Sequence, residues 1–98
     1  MNELADKIAV VTGAGRGIGR GIALKFAAEG ADVVCVSRSA ENAEKTAQEL
    51  RALGRRAWSH AVDVGDAAAV AAATEKILEE TGRVDIRLTT QESRATGY

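Results

Sequence analysis

The chain has 98 residues, enough for one small domain, of which 46% are apolar and only 3% aromatic. Thirteen Lys plus Arg against 14 Asp plus Glu leave a formal net charge of −1, which argues against a nucleic-acid-binding footprint. One Cys excludes a disulfide scaffold and a Cys-based zinc site and fits a reducing, cytoplasmic setting; no apolar run nears a membrane span, and residues 1–7 do not read as a signal peptide.

Residues 7–12 form a continuous, β-branched apolar run closed by glycine, the pattern of a strand buried on both faces. A glycine-rich turn occupies residues 13–19. The spacing then predicts a helix over 18–29 with Ile18, Ile22 and Phe26 at successive i+4 positions on one face and Gly30 just past its end. A second buried strand spans 32–37. Ser39 can cap a helix over 40–53, with Ala43, Ala47 and Leu50 inward and Gly54 as its stop. Residues 56–62 read as a third strand. Asp66 can cap a helix over 67–80, with Val70, Thr74, Ile77 and Leu78 inward and Gly82 as its stop; Val84, Asp85 and Ile86 start a fourth strand.

Strand and helix alternate with short connections, which predicts an α/β fold: the N-terminal half of a Rossmann-like, doubly wound parallel sheet, in spatial order 3-2-1-4. With 20 Ala in the chain, the core falls to Val, Ile, Leu, Phe26 and Trp58. Residues 1–86 read as the half-domain. Residues 87–98 (RLTTQESRATGY) keep no strand or helix period and read as a solvated tail.

Thr12-Gly13-Ala14-Gly15-Arg16-Gly17-Ile18-Gly19 lies between a strand and a helix. Glycines there permit a tight turn and a close approach of phosphate to the backbone, while the helix N-terminus offers N–H groups and partial positive charge. The literal G-x-G-x-x-G register is not met, and the Lys of a phosphate loop is missing. A purely structural glycine turn is the plainer alternative.

These residues resemble the cofactor motif of the short-chain dehydrogenase/reductases, and the wider run over residues 7–19 is similar to the 3-oxoacyl-acyl-carrier-protein reductases. The resemblance covers residues 4–86. It implies that Thr12 and Gly13 shape the turn, that the backbone around Arg16, Gly17 and Ile18 faces a pyrophosphate, with Gly15 and Gly19 in the same cofactor-binding turn, and that Ser37 and Arg38 meet the adenosine ribose. It also implies that Asp63 and Val64 clamp the adenine. Residues 37–39 carry no carboxylate, and a guanidinium suits a 2′-phosphate, so NADP(H) is favoured over NAD(H). Read alone, Arg38 is a solvated loop residue and Asp63 a turn residue. Cys35 reads as core, His60 as a surface or edge histidine, and Glu41 with Lys45 as an i,i+4 pair.

The family's fourth strand continues into Leu-Val-Asn-Asn-Ala-Gly, whereas this chain has Arg87-Leu88-Thr89-Thr90-Gln91-Glu92. The family's catalytic Ser and Tyr-x-x-x-Lys pair have no counterpart. Neither Ser93 nor Tyr98 can stand for them. Read one base early, the degenerate codons of residues 89–98 allow Asn-Asn-Ala-Gly-Val-Ala-Arg-Asp-Gly-Leu, which implies a shifted reading frame after about Ile86. The expectation is an oxidoreductase lineage acting on carbonyl or 3-oxoacyl thioester substrates, represented by a portion inactive alone, with no nucleic-acid or membrane partner and an unassigned oligomeric state. A non-catalytic adenine-nucleotide module is the alternative, and a methyltransferase-type half is disfavoured by Ser37-Arg38.

Overall fold

The computed structural model describes residues 3–15 and 17–90. In chain order the elements are β1 (Ile8–Thr12), α1 (Gly17–Ala28), β2 (Asp32–Ser37), α2 (Ala40–Ala52), β3 (Ala57–Ala61), α3 (Ala67–Thr81) and β4 (Ile86–Leu88). The strands form one parallel sheet in the order β3-β2-β1-β4, as the alternation predicts.

The sheet is covered on both faces. On one side α1 and α2 pack over Val11, Val33, Cys35 and Ala57; on the other, Ile8, Val10, Val34, Val36 and Val62 meet Ile77 of α3. This is the expected consequence of two crossovers running outward from β1 and one returning past it. It also explains why β1 and β2 are apolar at nearly every position rather than alternating.

Small residues set the helix–sheet spacing. The buried residues of α1 are Gly19, Ala23 and Ala27. Ile22 and Phe26 flank them half-buried, and Ile18 is 78% exposed. The expected Ile18 stripe is therefore corrected by about one residue of rotation: Ile18 sits in the first turn at the open end of the sheet, and the Gly/Ala stripe lets the helix come close. On α3 the expected Ile77 is the buried residue, but the rest of the expected face is corrected. Ile77 is buried with Ala69 and Ala73 beside it, whereas Val70 and Leu78 are exposed. On α2, Ala43, Ala47 and Leu50 are buried as expected.

Helix ends follow local chemistry. Ser39 accepts the Asn42 N–H, and Asp66 accepts the N–H groups of Ala68 and Ala69. After α1, the Gly30 N–H donates to Ala27 and the Ala31 N–H to Phe26; after α2, Gly54 donates to Arg51 and Arg55 to Leu50. Both are Schellman closures with a left-handed glycine, at φ 102° and 88°.

Trp58, expected in the core, is half-buried on edge strand β3, with the Arg56 guanidinium 5.4 Å from its ring centroid. Arg51 donates to the Ala57 carbonyl through Nε (3.2 Å) and Nη2 (2.9 Å) and to Glu44 through Nη1 (2.7 Å). Helix α2 forms the ion pairs Glu44–Arg51 and Arg20–Glu49, and among the described residues the expected Glu41–Lys45 pair is not formed. His60, on the same edge strand, lies 2.9 Å from Glu80.

Strand β4 reaches two residues beyond Ile86: Arg87 pairs with Val10 and Leu88 with Val11. These two residues carry no period of their own. They are placed by the exposed edge of β1, which supplies the pairing partner that local sequence cannot reveal. Below them, the Asp85 carboxylate accepts the Ile8 N–H (2.8 Å) and Arg83 Nε (2.9 Å). Arg83 also donates to the Asp6 carbonyl.

Candidate functional site

The candidate residues lie at the C-terminal ends of β1, β2 and β3, on three neighbouring strands spaced about 5 Å apart. In open parallel sheets this end is where ligands bind. The site is built outward from the glycine turn that leaves β1.

That turn is held from two sides. The Ala14 N–H donates to the Val36 carbonyl of β2 (2.9 Å), and the Ala14 carbonyl accepts from Thr46 Oγ1 of α2 (2.9 Å). Thr46 is buried, so its hydroxyl needs this partner. Sequence reasoning missed Thr46. The available signal was a hydroxyl on the inner face of a helix, between Ala43 and Ala47.

The glycines of the turn are required for different reasons. Gly13 and Gly17 have φ 68° and 63°, values that L side chains adopt at a cost. A Cβ on Gly15 would stand 2.7 Å from both Asn42 Cβ and Ser37 Oγ. A Cβ on Gly19 would stand 1.9 Å from the Gly13 carbonyl oxygen. Those two positions are filled by the protein itself. At Gly17, by contrast, a Cβ would meet nothing within 4 Å. Gly17 therefore combines a left-handed backbone with open space at the first residue of α1. There the N–H groups of Gly17, Ile18 and Gly19 have no partner within the helix ladder. This combination fits an anion approaching the backbone.

Thr12 ends β1 half-buried. Arg16 lies outside the described residues. Ile18, at 78% exposure, stands over the same mouth. Ser37 ends β2 almost fully buried, its Oγ accepting from the Ser39 N–H (3.2 Å), and Arg38 follows exposed. Asp63 and Val64 follow β3, both exposed. The Asp63 carboxylate accepts the Gly65 N–H (2.9 Å), and the Asp63 carbonyl accepts from Asp66 (2.9 Å). Asp63 thus makes the turn that its residue type predicts on its own.

Cys35 lies beneath the site in β2. It is fully buried, and burial pushes its thiol up to about 12. Glu44 is held below the usual carboxylate range by the Ser59 hydroxyl (2.6 Å) and then by Arg51. Both belong to the framework rather than to the open end.

A parallel three-layer sheet with a glycine turn and an open helix N-terminus at its carboxyl end defines a dinucleotide-fold protein. The short chain dehydrogenase family model matches residues 7–89, and the chain belongs to that family. Oxidoreductase UcpA of Escherichia coli K12 is 45% identical over 86 residues, covering 88% of this chain and 32% of UcpA. Among solved structures, a metagenomic short-chain oxidoreductase in complex with NADP is 42% identical with a TM-score of 0.81, covering 86% of this chain and 38% of that one. The 3-ketoacyl-(acyl-carrier-protein) reductase of Brucella melitensis complexed with NADH is 42% identical with a TM-score of 0.79, covering 87% and 34%. The chain spans about a third of the length of the curated relatives it matches.

Proposed function

We propose that this chain holds the adenosine and pyrophosphate portion of NADP(H) for a carbonyl reductase of the short-chain family. In this reading residues 13–19 receive the pyrophosphate, Ser37 and Arg38 the ribose, and Asp63 and Val64 the adenine. The nicotinamide of such a cofactor supplies hydride. The observation that carries the reading is Gly17, the one turn glycine among 15, 17 and 19 whose Cβ position is open.

The relatives bind both cofactor types, so the choice between them rests on this chain's own residues. The loop after β2 reads Ser37-Arg38-Ser39, without a carboxylate to accept from a 2′-hydroxyl. Arg38, exposed there, favours a 2′-phosphate by the charge and donor fork of its guanidinium. Titration of the chain with NADP+ and NAD+ tests this. NADP+ is expected to bind about tenfold or more tightly than NAD+, and Arg38→Ala to remove most of that margin. Equal affinity in the unsubstituted chain would falsify the NADP preference.

The 3-oxoacyl thioester remains the favoured substrate class by family resemblance, and the reductase from Brucella supports it. The 98 residues contain no Tyr-x-x-x-Lys, so we expect NADPH oxidation with a 3-oxoacyl thioester to stay at background. Binding without turnover would equally suit a nucleotide-binding module. Turnover would exclude that reading, and binding of S-adenosylmethionine alone would favour a methyltransferase. The proposed setting is cytoplasmic; among the described residues no helix is long and apolar enough to cross a membrane.

A further inference from the structure

The β1–β4 ladder ends at Val11 and Leu88, yet the two segments stay joined beyond it. The Thr90 N–H donates to Thr12 Oγ1 (3.0 Å), and the Thr90 hydroxyl donates to the Thr12 carbonyl (2.6 Å). Thr12 Oγ1 lies 3.3 Å from the Thr90 carbonyl oxygen. The same Thr90 hydroxyl faces α1, since a Cβ on Gly19 would stand 2.9 Å from it. One hydroxyl is therefore set between the last carbonyl of β1 and the first turn of α1, the two ends of the glycine turn.

We propose that Thr90 is a positioning residue for the glycine turn. Its hydroxyl anchors the Thr12 carbonyl and backs Gly19. It thereby fixes how the N–H groups at the start of α1 face a bound phosphate. The inference rests on the dinucleotide reading for its ligand, but not for its geometry. Thr90 stands where the resemblance leads one to expect asparagine, so the contact is made by a residue of this chain's own.

The side-chain bond can be removed without the backbone one. Thr90→Val keeps the shape and the N–H but loses the hydroxyl, whereas Thr90→Ser keeps the hydroxyl. On the full chain, hydrogen exchange resolved by peptide should show the amides of residues 13–19 exchanging about tenfold faster in T90V, with those of β2 and α2 unchanged. NADP+ affinity should fall by about three- to tenfold. T90S should match the unsubstituted chain in both. The idea is overturned if turn exchange is unaltered in T90V, if exchange rises equally throughout the chain, or if T90S behaves like T90V. If the unsubstituted chain binds no NADP+, the dinucleotide reading fails and the exchange data alone decide the role of Thr90. If T90V does not fold, comparison of T90A with T90S decides it on the same readouts.

Discussion

A methyl group added at Gly19 would collide with the Gly13 carbonyl at 1.9 Å, while one added at Gly21, two residues along the same helix, would meet nothing within 4 Å. The two glycines are alike in sequence and opposite in consequence. Gly19→Ala should destabilise the chain by about 1–3 kcal/mol through overpacking against backbone. Gly21→Ala should stabilise it by roughly 0.5–1 kcal/mol, because a helical glycine costs conformational entropy. Urea unfolding of both variants checks the pair, and equal effects would refute the steric account. At this scale the sequence was informative about residue type and silent about direction. The turn is recognisable from its glycines, but which Cβ positions the protein itself fills and which stands open depends on Ser37, Asn42 and the Gly13 carbonyl. Those neighbours arrive from other elements or from the opposite end of the turn.

The elements themselves are written locally. Gly30, Gly54 and Gly82 mark three helix ends, and all three have positive φ. Ser39 and Asp66 mark two starts. Asp66 serves α3 twice, accepting at 3.0 and 3.2 Å from Ala68 and Ala69. Helix α3 buries only Ile77 fully, so little packing compensates for a lost cap. Asp66→Ala should cost about 1 kcal/mol, and Asp66→Asn much less; thermal melts distinguish the two. The face a helix buries was less legible. In α1 the large apolar residues suggest one stripe and the sheet selects a neighbouring one of Gly and Ala, whereas α3 buries the expected Ile77 but turns Ala69 and Ala73 inward in place of Val70 and Leu78. Close approach of a helix axis to a sheet outweighs the burial of one more large side chain at an open end. Polar contacts between distant elements, such as Thr46 to Ala14 or Asp85 to Ile8, leave no periodic trace.

For the whole molecule, the three-residue β4 matters more than its length implies, because it is pinned at both ends: Asp85 holds the start of β1, and Thr90 holds its finish. The Ile8 N–H, and then Arg83, keep the Asp85 carboxyl below its usual range. Glu44 and Glu49 are shifted the same way, by Ser59 and by Arg20 respectively. A depressed carboxylate adds stability that is complete above the unfolded-state value and is lost as pH falls through the folded-state value. The melting temperature should therefore be flat from neutral pH to about 5 and fall below about 4. Asp85→Asn should melt lower at pH 7 and lose less on acidification. An unchanged acid slope in that variant would remove Asp85 from the explanation.

Cys35 gives the molecule an internal clock. Its sulfur is the only one in a thiol, it sits at the centre of β2 beneath Ala43, Ala47 and Leu50, and burial raises its thiol to about 12. In the closed sheet it is neither reachable nor ionised; once the strand is released it is reachable and its thiol returns to the ordinary range, where a small thiolate fraction reacts at neutral pH. The alkylation rate at neutral pH should therefore count openings of the central sheet. Removing the Thr90 hydroxyl should leave that count unchanged, whereas Gly19→Ala should raise it.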